Sequence, residues 1–435
     1  MGDIACKFGG SSLADARQMQ KVVQIVHSNT KRRFVVPSAP GKRSDDDTKI
    51  TDLLYLCHEL ARQKMDISEP FGKIETRFVS LVEDLGVEVD MGDLLLSVRG
   101  EIEAGASEAF VASRGEFLGG HVVASLLGAK FVDPADVIRF RSDGRLDAVS
   151  YELLAAQLAG PGLFVVPGFY GADDQGNIRT FTRGGSDITG AIVARAVEAE
   201  AYENWTDVSG LLMADPRMVS DPLGVEDITY REIRELSYMG ASVFHDEAMF
   251  PVREVNMPIH IRNTNKPEDP GTCIRPTRPL TDRLIAGVAG KPNFTMLYIE
   301  KALMNQTRGF GRQVLEVVDK HGISYDHTPS GIDSMSVIMS DEELGNLGGA
   351  LLEDIQRILQ PDRVELISGL ALIATVGEGM SHRVGIAARL FGALAEAKVN
   401  VRVIDQGASE INIIVGVEDA DLKPAIEAIY RAFTQ

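Results

Sequence analysis

The chain has 435 residues, 44% of them hydrophobic and 25% charged, an ordinary globular composition that suits several domains at about 150 residues each. Lys and Arg number 44 against 63 Asp and Glu, giving a net charge of −19. This argues against nucleic acid or an anionic membrane as the main partner, since both reward clustered positive charge. Cys6, Cys57 and Cys273 are few, odd in number and lack Cys-x-x-Cys spacing, which argues against a disulfide framework or structural zinc. With no leader-like start and no run of about 18 apolar residues, a soluble cytoplasmic protein is expected.

From the start to about residue 275, short β-rich runs alternate with amphipathic helical patterns. Ile4–Phe8, Phe34–Val36, Lys130–Val132, Leu163–Val166 and Ile259–Ile261 read as buried strands, while Leu13, Ala16, Met19, Val22, Val23 and Val26 mark one side of a helix. Alternation of this kind predicts an α/β domain with a mainly parallel sheet, whose ligands bind beyond the carboxyl ends of the strands.

The first chemical element follows the opening strand: Lys7-Phe8-Gly9-Gly10-Ser11-Ser12. Paired glycines let backbone amides approach an anion, a helix start adds unpaired N–H groups, and Lys7 can reach a phosphate. The blander reading is a turn capped by Ser11 or Ser12. Ser113-Arg114-Gly115-Glu116 and the earlier Arg99-Gly100-Glu101 each place a glutamate where a helix could begin, and spacing alone does not choose between them. Arg183-Gly184-Gly185-Ser186-Asp187 is a second glycine pair entering a helix, with Ile188, Ile192 and Ala196 inward. It carries an arginine suited to bidentate carboxylate binding, although Asp187 as a plain helix cap is the alternative. Thr206-Asp207, with Asp215-Pro216-Arg217 after it, could clasp a nucleotide or form an ordinary Asp turn.

Pro267, Pro270, Gly271, Pro276 and Pro279 make residues 264–280 read as a linker. Beyond it lies an internal repeat. Met304 and Met380, Gly309 and Gly385, Ile323 and Val399, Gly331 and Gly407, and Val337 and Ile413 are each 76 residues apart. Two small α+β modules of one ancestry are expected.

Taken in order, these elements resemble the aspartate kinases, a match that also takes in Met239-Gly240-Ala241-Ser242-Val243-Phe244-His245 and the two repeats, which look like ACT modules. The resemblance implies an amino-acid-kinase catalytic domain over residues 1–276, built as a three-layer αβα sandwich with a mainly parallel sheet. Two ferredoxin-like ACT modules would follow, over 284–362 and 366–435. It implies γ-phosphoryl transfer from ATP, with Mg²⁺, to the β-carboxylate of L-aspartate. Carried over residue by residue, Lys7 and Asp187 are catalytic, and Lys7, Phe8, Gly9, Gly10, Thr206, Asp207, Leu212 and Arg217 serve ATP. Ser38, Thr51, Glu116 and Arg183 serve the substrate, Glu116 receiving its ammonium and Arg183 its α-carboxylate. The resemblance also selects Glu116 over Glu101, as the glutamate that opens a helix leading into the next strand.

Chemistry agrees with such a site. The attacking carboxylate is already ionised near neutral pH, so positioning and charge stabilisation carry the reaction and no histidine base is called for. Mg²⁺ would be held mainly by ATP oxygens and water. Four departures from the family pattern stand out: residues 42–49 lengthen the loop before Thr51, Thr182 replaces a glycine, Leu212 a tyrosine near the adenine, and Ser242 a lysine.

In the first repeat, Met304, Thr307, Gly309 and Phe310 resemble the family's effector loop, with Asp326 and Ser330, and Asp333 beside them, placed to meet a cationic side chain. The second repeat has Arg402 at the position of Asp326. Lysine, alone or with threonine, is therefore the expected feedback effector, and a homodimer through the ACT modules the expected assembly. The alternatives are another amino-acid-kinase relative, such as a glutamate, acetylglutamate or nucleoside-monophosphate kinase, and a sensor without catalysis.

Overall fold

The computed structural model describes residues 2–182, 184–241, 246–279 and 283–435, without the side chains at 246 and 247. Two compact units emerge: Met1–Leu211 with Gly224–Tyr230 and Val243–Arg278, and Leu212–Leu223 with Arg231–Ser242 and Pro279–Gln435. Two short segments expected in the catalytic domain, around Leu212 and around Leu236, thus belong with the carboxyl-terminal unit.

An eight-stranded sheet organises the first unit. Its order is Asp227–Thr229, Thr272–Arg275, Ile259–Asn263, Ala201–Thr206, Ile4–Phe8, Arg32–Pro37, Phe164–Val165 and Lys130–Phe131. Six strands run parallel, and the pair Asp227–Thr229 and Thr272–Arg275 at one edge runs against them. Thr272–Arg275 lies inside the stretch expected to be a linker. Its prolines, Pro270 and Pro276, flank the strand and leave its ladder N–H groups free to pair.

Helix Ala16–His27 buries Met19, Val22 and Val26 as its spacing predicts, with Ile25 besides, while Ala16 and Val23 are half-buried. Its cap is Asp15, which accepts from the Gln18 N–H, rather than Ser11 or Ser12, because Gly10–Leu13 first winds into a 3₁₀ turn. Helix Glu108–Leu127, capped by Ser107, lies within the core and is buried on most sides. Glu116 therefore stands in mid-helix, not at a helix start as expected, because the cap lies further upstream.

Arg77, 4% exposed, stitches the lengthened loop to this unit: it donates to Asp47, Ala14 and Gly41. Arg43, and Arg77 after it, hold the Asp47 carboxyl well below the usual carboxylate range. The extra residues are pinned, and Thr51 follows as the second residue of helix Ile50–Arg62.

The second unit carries a five-stranded antiparallel sheet, ordered Ser334–Ser340, Gly287–Glu300, Arg363–Val376, Asn412–Glu418 and Val403–Asp405. The 76-residue period holds element by element: Gly287–Glu300 answers to Arg363–Val376 and Phe310–Lys320 to Ile386–Glu396. Gly309 and Gly385, both left-handed with φ of 74° and 93°, cap the two matching helices. The boundary expected between 362 and 366 falls at the start of a long strand that both modules share. Gly287–Lys291 pairs with Leu372–Val376, whereas Phe294–Glu300 pairs with Arg363–Leu370, the register shifting between them. Asn293 and Gly369, at φ 67° and 76°, mark the break in each strand. Among the described residues no helix is long and apolar enough to cross a membrane.

Candidate active site

The site is built at the carboxyl ends of the central parallel strands, where such sheets place their ligands. Lys7 on Ile4–Phe8 and Asn204 on Ala201–Thr206 are register partners, so their side chains share one face of the sheet. Helix Gly185–Ala196 brings Asp187 to the same place in its first turn, and Gly184 enters it in the left-handed conformation at φ 59°. Ile188, Ile192 and Ala196 turn inward as expected. The Lys7 ammonium lies 2.5 Å from Asp187 Oδ1, and both side chains are largely buried. Asn204 Nδ2 donates to the same oxygen at 2.8 Å, and Tyr202 donates to the Asp187 carbonyl at 3.1 Å. Gly190 makes room for the Tyr202 ring: a Cβ there would sit 2.6 Å from its hydroxyl.

The opposite sheet face is sealed by a different cluster. Glu203 accepts from Arg32, from Trp205 Nε1 and from the Cys6 thiol. Phe8 stacks on Trp205 with 6.0 Å between ring centres. Phe8, expected among the ATP-binding residues, has its side chain in the core and its carbonyl taken by the Ser38 N–H.

Gly9 and Gly10 run against the loop 38–41. Gly9 N–H donates to the Trp205 carbonyl, and Gly41 N–H to the Gly10 carbonyl at 2.8 Å. A Cβ on Gly41 would meet the Gly10 carbonyl carbon at 2.6 Å and its oxygen at 2.7 Å, backbone atoms that cannot swing aside. Gly41→Ala is therefore expected to cost about 1–3 kcal/mol of stability and to lower kcat/KM for both substrates at least tenfold. Denaturant melts beside steady-state kinetics check both, and unchanged kinetics would show that the close approach of the two loops is dispensable.

Across that loop stands Glu116. Its carboxyl is fully enclosed, and Oε2 meets no hydrogen-bond donor among the described residues. Burial pushes its pKa up to about 8, with the Ala39 N–H pulling the other way. The preceding Gly115 keeps the helix close to the loop, since a Cβ would sit 2.9 Å from that of Ala39. Arg114, by contrast, is a core residue. It lies over the rings of Phe110, Phe117 and Tyr170 and donates to Ser113 Oγ, and burial lowers its pKa.

Thr206 ends its strand, and its hydroxyl donates to Asp207 at 3.2 Å. Leu212 and Arg217, expected beside them, fall in the second unit, where Arg217 is exposed and paired with Asp215. Arg183 and the segment 242–245, with Ser242 and His245, lie outside the described residues. Asn204, Tyr202 and Phe169 escaped the sequence reading. Phe169 holds φ 81°, unusual for an aromatic residue, and is fixed there by Thr189 Oγ1 on its N–H. The consecutive polar pair Glu203-Asn204 inside an apolar strand was the available signal.

In the second unit the expected effector residues lie on the first repeat. Met304 packs on that module's core, and Gly309 caps the helix. The Phe310 side chain is buried in the core, leaving only its backbone for a ligand. Thr307 and Ser330 are exposed, Ser330 donating to the Thr328 carbonyl. Asp326 accepts a hydrogen bond from Tyr238, on helix Tyr230–Tyr238. The same helix holds the second repeat, Glu232 accepting from the Glu378 N–H and Glu235 from Asn412. Arg402, opposite in charge to Asp326, pairs with Glu418.

Comparison with known proteins agrees with this architecture. Residues 4–263 match the model of the amino acid kinase family, and residues 373–433 match an ACT domain. Aspartokinase 3 of Bacillus subtilis is 38% identical over 444 residues, covering 98% of each chain. The aspartate kinase of Clostridium acetobutylicum superposes with a TM-score of 0.94 at 46% identity, covering 99% of this chain and 100% of that one. Aspartokinase III of Escherichia coli, solved with aspartate and ADP, has a TM-score of 0.77 at 27% identity over the full length of both. The same enzyme solved with lysine and aspartate gives 0.76 at 27% identity, again over both full lengths. The chain belongs to the amino acid kinase family, and within it to the aspartate kinases that carry ACT modules.

Proposed function

We propose that the chain transfers the γ-phosphoryl group of ATP to the β-carboxylate of L-aspartate, giving 4-phospho-L-aspartate for lysine, threonine and methionine synthesis in the cytoplasm. The observation that carries the acceptor is Glu116. A buried carboxyl with an orphan oxygen, set against the loop that meets Gly10, lacks the partner an amino-acid ammonium provides. Arg183 takes the α-carboxylate and Ser38 and Thr51 serve the substrate as hydroxyls, while the bare backbone of Gly9 and Gly10 leaves room for the phosphates to approach. Thr206 and Asp207 serve the nucleotide. Lys7 neutralises charge on the group in flight. Asp187 organises the centre by holding the Lys7 ammonium, and Mg²⁺ would be held mainly by nucleotide oxygens and water. When bound, the ion supplies charge neutralisation on the phosphates. Support comes also from the Escherichia coli enzyme solved with aspartate and ADP. The test is hydroxylamine trapping of the acyl phosphate across a panel of aspartate, glutamate and acetylglutamate. A product from glutamate or acetylglutamate but not aspartate would defeat this reading, and binding without product would favour a sensor.

The same reading assigns feedback control to the first ACT module, with lysine, alone or with threonine, as effector, in a homodimer through the modules. Lysine is bound in one structure of the Escherichia coli relative. The Asp326 carboxylate suits an amine, and Arg402 makes the second module unlike the first. Asp326 is already engaged by the Tyr238 hydroxyl, so an incoming ammonium must displace it. Asp326→Ala is expected to relieve lysine inhibition with the uninhibited rate intact. Tyr238→Phe removes the competitor and is expected to lower the inhibitory lysine concentration about fivefold, the worth of one net hydrogen bond. Inhibition curves for the two variants check this, and an unchanged curve for Asp326→Ala would remove Asp326 from the effector site.

A further inference from the structure

We propose that Asn204 is a positioning residue for phosphoryl transfer, holding the Lys7 ammonium and the Asp187 carboxylate in one hydrogen-bonded triad; this rests on the reading of Lys7 and Asp187 as the reaction centre. Asn204 is 4% exposed and is the register partner of Lys7 on the neighbouring parallel strand. Its Nδ2 donates to Asp187 Oδ1 at 2.8 Å, and its Oδ1 accepts from Lys7 Nζ at 3.5 Å. The third side of the triangle is the 2.5 Å contact between Lys7 and Asp187. Chemistry fixes the orientation of the amide. An ammonium only donates and a carboxylate only accepts, so the oxygen must face Lys7 and the nitrogen Asp187.

The triad has a consequence for transfer. Lys7 must be aimed by Asp187 in a largely buried place, yet free enough to move onto the phosphoryl group. The Asn204 N–H shares Asp187 Oδ1 with the ammonium and so weakens the pull of the carboxylate on it. The Asn204 oxygen gives Lys7 a second anchor on its own strand pair, and with two acceptors engaged one of the three ammonium protons remains for the transferring group. The neighbour on the other side, Ile261, is apolar. Among the described residues the charged groups recorded against Asn204 are Lys7 on its strand and Asp187 on its helix.

The test uses the full-length enzyme and two variants. Asn204→Leu, close in size, removes both hydrogen bonds, and kcat is expected to fall ten- to hundredfold, as for loss of a hydrogen bond to a charged group. KM for ATP and for aspartate should stay within about twofold. Asn204→Asp keeps an oxygen facing Lys7 but replaces the donor to Asp187 with a second carboxylate, so the ammonium is pulled by two charges instead of one. In this variant too kcat should fall at least tenfold with KM and melting temperature near those of the parent, a split that a merely structural role would not produce. The proposal is overturned if Asn204→Leu keeps kcat within twofold, or if both variants raise KM and lower the melting temperature with kcat intact. An active Lys7→Met would instead overturn the reading of the centre itself, whereas an inactive Lys7→Met beside a fully active Asn204→Leu would sink the proposal for Asn204 alone.

Discussion

Lys7→Met is expected to lower kcat by a hundredfold or more, while ATP and aspartate still bind. The ammonium is held at the end of a central strand, 2.5 Å from Asp187 and largely out of solvent. There its charge acts on a developing phosphoryl transition state with little screening. Removing one preorganised charge donor of this kind costs about 10²–10³ in kcat. Methionine keeps the length of the stem and none of the charge, so packing against the strand survives. Asp187 loses its cation but retains the Asn204 N–H, and thermal melts separate folding from catalysis. Asp187→Asn should be comparably damaging, because it deprives Lys7 of the carboxylate that aims it. Near-normal turnover by a folded Lys7→Met protein would refute the phosphoryl role of this residue.

How much of this was legible beforehand follows from the kind of signal each residue leaves. Lys7 and Asp187 are announced locally, each beside a glycine pair at the end of a strand or the start of a helix. Asn204 is not, because its role depends on the register between strands almost two hundred positions apart in the chain. The mid-helix position of Glu116 was hidden for another reason: helix Glu108–Leu127 is buried on most sides and so lacks the polar stripe that would reveal its limits. Prolines masked the strand Thr272–Arg275, since they crowd both of its ends without entering it. The repeat was plain in its 76-residue period, but its sharing of strands was not. Asn293 and Gly369 divide the two long strands through positive φ, a conformation that asparagine and glycine tolerate but do not advertise.

The remaining large effect concerns protons. The Glu116 pKa is pushed up to about 8 by burial, so in the free enzyme this carboxyl holds its proton at neutral pH. An α-ammonium docking beside Oε2 favours the ionised form and expels that proton. Aspartate binding below pH 8 is therefore expected to release close to one proton and to tighten as pH rises. With the β-carboxylate of aspartate ionised throughout, the only cost that changes is deprotonation of Glu116. This makes the apparent Kd fall by about fiftyfold between pH 6 and 8 and level off above. An ordinary surface carboxylate would be ionised across the whole range and give a flat profile. Glu116→Gln keeps the shape but not the charge, so it should bind aspartate roughly a hundredfold more weakly at pH 8. Neither pH dependence nor proton release should remain in that variant, and ATP affinity should stay near that of the parent. Calorimetry in two buffers of different ionisation enthalpy reads the proton count directly. A flat Kd with no proton released by the parent protein would place the aspartate ammonium somewhere other than Glu116.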